Sequence, residues 1–177
     1  MVEDLMAKFT IGKNFDKYLA KLENLKNMSP QICGKAVYEG AKIVADAAAE
    51  SAASLKVTNA QWGGSYNGRD QGMQTGITAA QKKGLMSSKS GGGMGLSKMQ
   101  NDNGFYHVKL GYSGYNSQIT KKYPKGQPNA MIARSLESGT SFRKKDPFIS
   151  RAVRRSRAQA EQKMAQVVDE ETAKIMK

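Results

Sequence analysis

Glu137-Ser138-Gly139-Thr140-Ser141, followed shortly by Asp146-Pro147-Phe148-Ile149, is the stretch on which the reading of this chain turns. Gly139 can take the positive φ that closes a helix C-terminus without a side-chain clash, so the residues before it, capped by Asn129 and running through Leu136-Glu137, read as a short helix. Asp146 then offers an N-cap carboxylate and Pro147 a preset first helical residue. The helix they open can run to Lys177 and, at about 1.5 Å per residue, would span roughly 46 Å. A compact chain of this length has a radius of gyration near ~16 Å, so the helix reaches across its own body or past it. Ile149, Val153, Ala160, Met164, Val167 and Ile175 form its apolar stripe, and Arg151, Arg154, Arg155 and Arg157 crowd its first turns on other faces. Cations near a helix N-terminus oppose the macrodipole, so this cluster argues for an interaction rather than for stability.

Upstream, residues 14–28 predict an amphipathic helix with Phe15, Leu19, Leu22 and Leu25 on one stripe. Ser29-Pro30 reads as the N-cap and first position of a second, Ala-rich helix, whose Cys33, Val37, Ala41, Val44 and Ala48 recur at spacings of three and four. Residues 63–104 hold 11 of the 18 glycines and read as a Gly-rich arm, with Gly91, Gly92, Gly93, Met94 and Gly95 as its candidate inter-subunit contact. Phe105 to Tyr112 alternates, with Tyr106, Val108, Leu110 and Tyr112 on one face and His107 and Lys109 on the other, as a half-buried strand does. Gln118 to Tyr123 is its expected partner, with a further strand available from the arm. The predicted fold is α+β: a single domain over 1–177, with a small, mainly antiparallel sheet packed against the Ala-rich helix and the C-terminal helix 147–177.

Composition narrows the chemistry. One cysteine, Cys33, excludes an intrachain disulfide, and its place on the apolar stripe makes it a small core residue. His107, the sole histidine, would have to carry any Ser-His-Asp or Cys-His arrangement alone. Gly91 to Lys98 lacks the Gly-Lys-Ser/Thr order of a phosphate loop, and the carboxylates show no metal-ligand spacing, so neither cofactor nor metal nor enzymatic activity is expected. The acidic start Met1-Val2-Glu3-Asp4 and the lack of a membrane-length apolar run predict a protein kept in the cytosol.

The net charge is +13, and residues 121–177 hold 14 of the 28 basic side chains. Arg143, Lys144, Lys145, Arg151, Arg154, Arg155 and Arg157 form a candidate interface: a solvated face by default, otherwise a contact with an acidic protein ring or with DNA phosphates. No aromatic residues interleave with these arginines, which argues against base stacking.

Glu137-x-Gly139-Thr140, the Pro147-Phe148 pair and the final helix together resemble the C-terminal signature of small tail components of long-tailed bacteriophages, the tail-completion, neck or head-tail joining proteins. Thr75-Gly76, Leu110-Gly111 and Asn129-Ala130 follow in that family's order, whereas Arg151 stands where a second proline is common. The resemblance implies a structural virion protein that forms a ring, commonly six-fold, at the head-proximal end of a tail and meets tail-tube and head-connector proteins. Glu137, Gly139, Thr140, Pro147 and Phe148 would be its structural motif. The rival reading is a small basic architectural protein that binds nucleic acid.

Overall fold

The computed structural model describes residues 13–58, 65–66, 69–70, 74–86 and 93–177. Four helices, α1 (Lys13–Ala53), α2 (Ala79–Met86), α3 (Asn129–Ser138) and α4 (Phe148–Met176), combine with six short strands. The strands are β1 (Ser65–Tyr66), β2 (Arg69–Asp70), β3 (Gly93–Leu96), β4 (Gln100–Asp102), β5 (Phe105–His107) and β6 (Leu110–Ser113). They pair antiparallel as β1-β2, β3-β6 and β4-β5. The class is α+β, as expected, but the strands form separate two-stranded ladders rather than one sheet.

The two helices expected before residue 54 are one. Pro30 has no N–H to give the carbonyl of Lys26, which normally costs a helix about 3 kcal/mol. Ser29 does not cap a new helix; its Oγ donates to that same Lys26 carbonyl at 2.9 Å. The orphaned acceptor is thereby satisfied and α1 continues for 41 residues, roughly 60 Å.

α4 runs back along α1. Lys21 Nζ donates to the Met176 carbonyl, Lys35 pairs with Glu171, Gly40 faces Met164, and Ser51 Oγ donates to the Phe148 carbonyl, which fixes an antiparallel hairpin of two long rods. The buried face of α4 is Phe148, Ala152, Ser156, Ala160 and Val167, with Val153 left 39% exposed. The expected stripe through Ile149 and Val153 is therefore rotated by about one residue in the first turns. Small side chains win that face because the rods lie close: a Cβ on Gly40 would sit 2.6 Å from Met164 Cγ and 3.3 Å from the Ala160 carbonyl oxygen. Ser156 is tolerated there because its Oγ bonds the Ala152 carbonyl at 2.9 Å.

The core lies at one end of this hairpin. Ala52 and Leu55 from the end of α1, Ile77, Leu85 of α2, Ile132, Ala133 and Leu136 of α3, and Phe148 of α4 close around one another, with Tyr112 of β6 packed against them. Much of the stretch expected as an arm is thus structural, since Ile77 and Leu85 are among the most buried residues of the chain. Gly93, Met94 and Gly95 lie in β3 opposite Ser113, Tyr112 and Gly111, not in a free arm; Gly91 and Gly92 lie outside the described residues. The strand expected from 105 to 112 breaks at Val108-Lys109, because Ser97 takes over the pairing: its N–H donates to the Lys109 carbonyl and its Oγ accepts the Lys109 N–H at 2.9 Å. Thr120 and Tyr123 pair with each other in a tight turn, so Gln118 to Tyr123 is no strand partner for β6.

Because Gly40 sits where α4 crosses, Gly40→Val should force the rods apart and cost about 1–3 kcal/mol. A urea midpoint equal to that of the unsubstituted protein would show that the contact is looser than this geometry.

Candidate functional site

The junction between α3 and α4 is built around Glu137. This residue ends α3 but serves α4: its Oε2 accepts the Ile149 N–H at 3.0 Å, its Oε1 accepts the Ser150 N–H at 3.0 Å, and the Ser150 hydroxyl donates to the same oxygen. The Phe148 N–H is taken by the Asp146 carbonyl and the Arg151 N–H by that of Pro147. Pro147 at the cap has no N–H, so the three amides that this helix start leaves without an intrahelical partner, those of Phe148, Ile149 and Ser150, are all bonded. Asp146 is not the cap; its carboxylate accepts from Arg151 at 2.6 Å. Pro147 occupies the cap position itself and Phe148 opens the helix. A carboxylate borrowed from the preceding helix brings two atoms and a full charge to the positive end of the dipole, where a single N-cap side chain would bring less.

Gly139 has φ 75°, as the turn requires, and a side chain there would press on Lys145 at 3.2 Å. Thr140 Oγ1 accepts the Arg143 N–H, folding the residues between into a tight turn that returns the chain to Phe148. Phe148 is fully buried, its ring 6.1 Å from that of Tyr112. Asn129, expected as a cap, is instead a buried cross-link: Nδ2 donates to the carbonyls of Gly84 and Ser113, and Pro128 holds the cap position of α3.

The seven basic residues do not form one surface. Arg143 is 3% exposed, and its guanidinium donates to Ser135 Oγ, Gln74 Oε1 and Gln81 Oε1, tying α2, α3 and the segment before α2 together. Burial lowers its pKa. It is therefore a structural pin and not a surface contact. Reading Arg143-Lys144-Lys145 as one basic run hides this; the nearest signal is Thr140, whose turn directs residue 143 inward. Arg151 pairs with Asp146, Arg155 with Glu50 at 3.4 Å and Arg157 with Glu161 at 2.7 Å, all on exposed ground where such pairs are worth at most about 1 kcal/mol. Lys144, Lys145 and Arg154 are exposed, with no carboxylate partner among the described residues.

Two open grooves of about 310 and 350 Å³ run beside α1 and α4 near Glu50 and Arg155. Their serines are committed: Ser51 Oγ bonds the Phe148 carbonyl, Ser54 Oγ the Ser51 carbonyl, and Ser156 Oγ the Ala152 carbonyl. Each hydroxyl donates to a backbone carbonyl rather than to a side-chain base, so these serines are not set up as activated nucleophiles. His107 lies in the β4-β5 hairpin, where Nε2 meets Gln100 Oε1 at 3.0 Å and Nδ1 stands 3.8 Å from Asp102. Among the described residues no cluster of three metal-ligating side chains occurs, and no described helix is long and apolar enough to cross a membrane.

Of the stripe expected on the first helix, Phe15, Leu19 and Leu22 are exposed and Leu25 is half-buried, and Tyr18 joins the exposed set. Phe15, Tyr18, Leu19 and Leu22 are 46, 49, 46 and 39% exposed over two turns of α1, at the end of the rod farthest from the core.

Glu137→Ala should remove the cap and cost about 2–3 kcal/mol, with Glu137→Gln recovering part of it, as read from denaturant midpoints. Tyr112 supplies a pH test. Burial first, and the Glu137 charge second, push its hydroxyl up to about 12. Unfolded, it ionises near ~10. Its contribution is thus complete below pH ~10 and is lost as pH rises toward 12. Tyr112→Phe should flatten the fall of the urea midpoint over that range; parallel profiles for the two proteins would acquit the tyrosine.

No protein-family model, curated protein or solved structure matches this chain, so its functional reading rests on its own residues and geometry.

Proposed function

We propose that this chain is a structural protein of a phage or prophage tail, assembling with copies of itself into a ring, six-fold as the resemblance implies, that completes the head-proximal end of the tail and joins it to the head connector. The observation that carries the assembly reading is the partly exposed apolar stripe Phe15, Tyr18, Leu19 and Leu22 near the start of α1. Large side chains repeated on one face of a helix and left 39–49% exposed among the described residues suit a contact with another surface. A closed ring joins unlike patches head to tail, and the opposite end of the molecule exposes Val57, Met86 and Phe142 at 42, 52 and 40%. The rod then reaches a neighbour while the core end receives one.

The tail assignment itself is supported by the Glu137-x-Gly139-Thr140 and Pro147-Phe148 signature, whose carboxylate, turn and aromatic anchor set the direction in which α4 leaves the core. The protein acts without catalysis, cofactor or metal, in the virion after assembly in the host cytoplasm. Lys144, Lys145 and Arg154 are the cations left to meet acidic connector or tube surfaces. The rival, a small basic architectural protein for nucleic acid, draws on the net charge of +13.

Leu19→Asp combined with Leu22→Asp tests the ring. Both side chains are exposed in the single chain, so its melting temperature should move by less than about 3 °C, while light scattering after gel filtration should show assemblies reduced to monomers. In infected cells the pair should leave tails and heads unjoined. A monomeric parent protein together with normal infectivity of the variant would end the proposal.

A further inference from the structure

We infer that the closed loop 114–128 is a binding surface for single-stranded nucleic acid, with Lys121, Lys122 and Lys125 meeting phosphates and Tyr115 stacking on a base. The loop is closed at its base by the chain itself. Asn116 N–H donates to the Gln127 carbonyl, Asn129 N–H to the Gly114 carbonyl, and Tyr115 bridges Pro128. Gly126, at φ 102°, lets the two strands of the base meet; any side chain there would run into the Asn116 carbonyl oxygen. Gln118 and Gln127 bond Thr78 and Gln81 of the segment that opens α2. The loop is therefore held against the body, and what it displays is displayed in a set geometry.

What it displays is cationic and apolar together. Tyr115 and Ile119 are each 67% exposed, among the most exposed described large side chains, and Lys121, Lys122 and Lys125 of the same loop are exposed as well. Lys122 Nζ lies 5.7 Å from the centre of the Tyr123 ring. No Asp or Glu occurs between Asp102 and Glu137, and none in α2, β3 or β6, the elements nearest the loop. Glu137 itself is consumed by the start of α4. The contrast with α4 is direct: Arg151, Arg155 and Arg157 each have a carboxylate, while the loop lysines have none among the described residues.

Three exposed loop lysines without a carboxylate partner among the described residues, together with an exposed ring on the same loop, match the chemistry of a single strand, whose phosphates take the charge and whose unpaired bases offer flat faces. A duplex buries those faces and would leave Tyr115 and Ile119 idle. The inference stands apart from the ring proposal, since it is read on binding rather than on assembly.

Fluorescence anisotropy of the full chain with a labelled 20-nucleotide thymidine strand, a 20-base-pair duplex, and flotation with vesicles containing phosphatidylserine decides it. The single strand should bind tighter than the duplex and without vesicle capture. Lys121→Glu, Lys122→Glu and Lys125→Glu together should weaken it at least about ten-fold and cut the log-log salt slope by about 2. Tyr115→Ala should weaken it about ten-fold with little change in the salt slope. Arg154→Glu should change affinity by less than about two-fold, and light scattering should show the same oligomeric state for every variant. Absence of single-strand binding, equal or tighter duplex binding, capture by vesicles alone, or unchanged affinity in the lysine variant would each overturn the inference.

Discussion

The close approach of α1 and α4 is the constraint on which the remaining structure depends. Two rods of 41 and 29 residues lie together because Gly40, Ala48, Ala52, Ala152, Ser156 and Ala160 leave little between their backbones. Small residues give up per-residue hydrophobic burial but let many backbone and Cβ atoms come into van der Waals contact at once. The hairpin so formed is long and narrow, and it covers only one end of itself with a core. The core side chains, from Ala52 to Phe148, are gathered at that end, while the 97–107 region lies along the middle of α1, where Tyr38 Oη donates to the Ser97 carbonyl and Gly34 faces Met99.

Polar groups, not apolar ones, hold the gathered pieces in register. Glu137 reaches from the end of α3 to the start of α4, Asn129 from α3 to Gly84 and Ser113, and Arg143 from its turn to Gln74, Gln81 and Ser135. Each is a multi-armed side chain that satisfies buried backbone or amide groups which short two-stranded ladders leave over. A fold with so little sheet needs such pins, because no extended ladder fixes the relative positions of its helices. At the other end of the rods the tie is electrostatic: Lys174 and Lys35 both donate to Glu171 and hold its carboxyl down to about 2.

The same division sets the functional possibilities. The far end of the rods carries an uncovered apolar stripe, and the core end carries cations without carboxylates on a rigid loop. Surfaces of this kind bind large partners, whereas the grooves beside α1 hold serines already bonded to backbone carbonyls. The proposed assembly and polyanion contacts would occupy opposite ends and so would not compete.

From the sequence alone, local chemistry was legible. Gly139 was marked by its freedom to adopt positive φ, α3 and α4 by their breakers, β5 and β6 by an alternation that the structure interrupts at Val108-Lys109, and the α+β class by their combination. What the sequence could not decide were matters of partnership at long range. Pro30 looks like a helix start until Ser29 is seen to satisfy the Lys26 carbonyl, and Asp146 looks like the cap until Glu137 takes the amides. Arg143 reads as surface charge beside two lysines, yet three neutral acceptors from distant segments draw it inside. Composition and period are written in neighbouring residues, but which polar group answers which depends on the meeting of segments as far apart as Lys21 and Met176, 155 residues, and only the packed tertiary structure settles that.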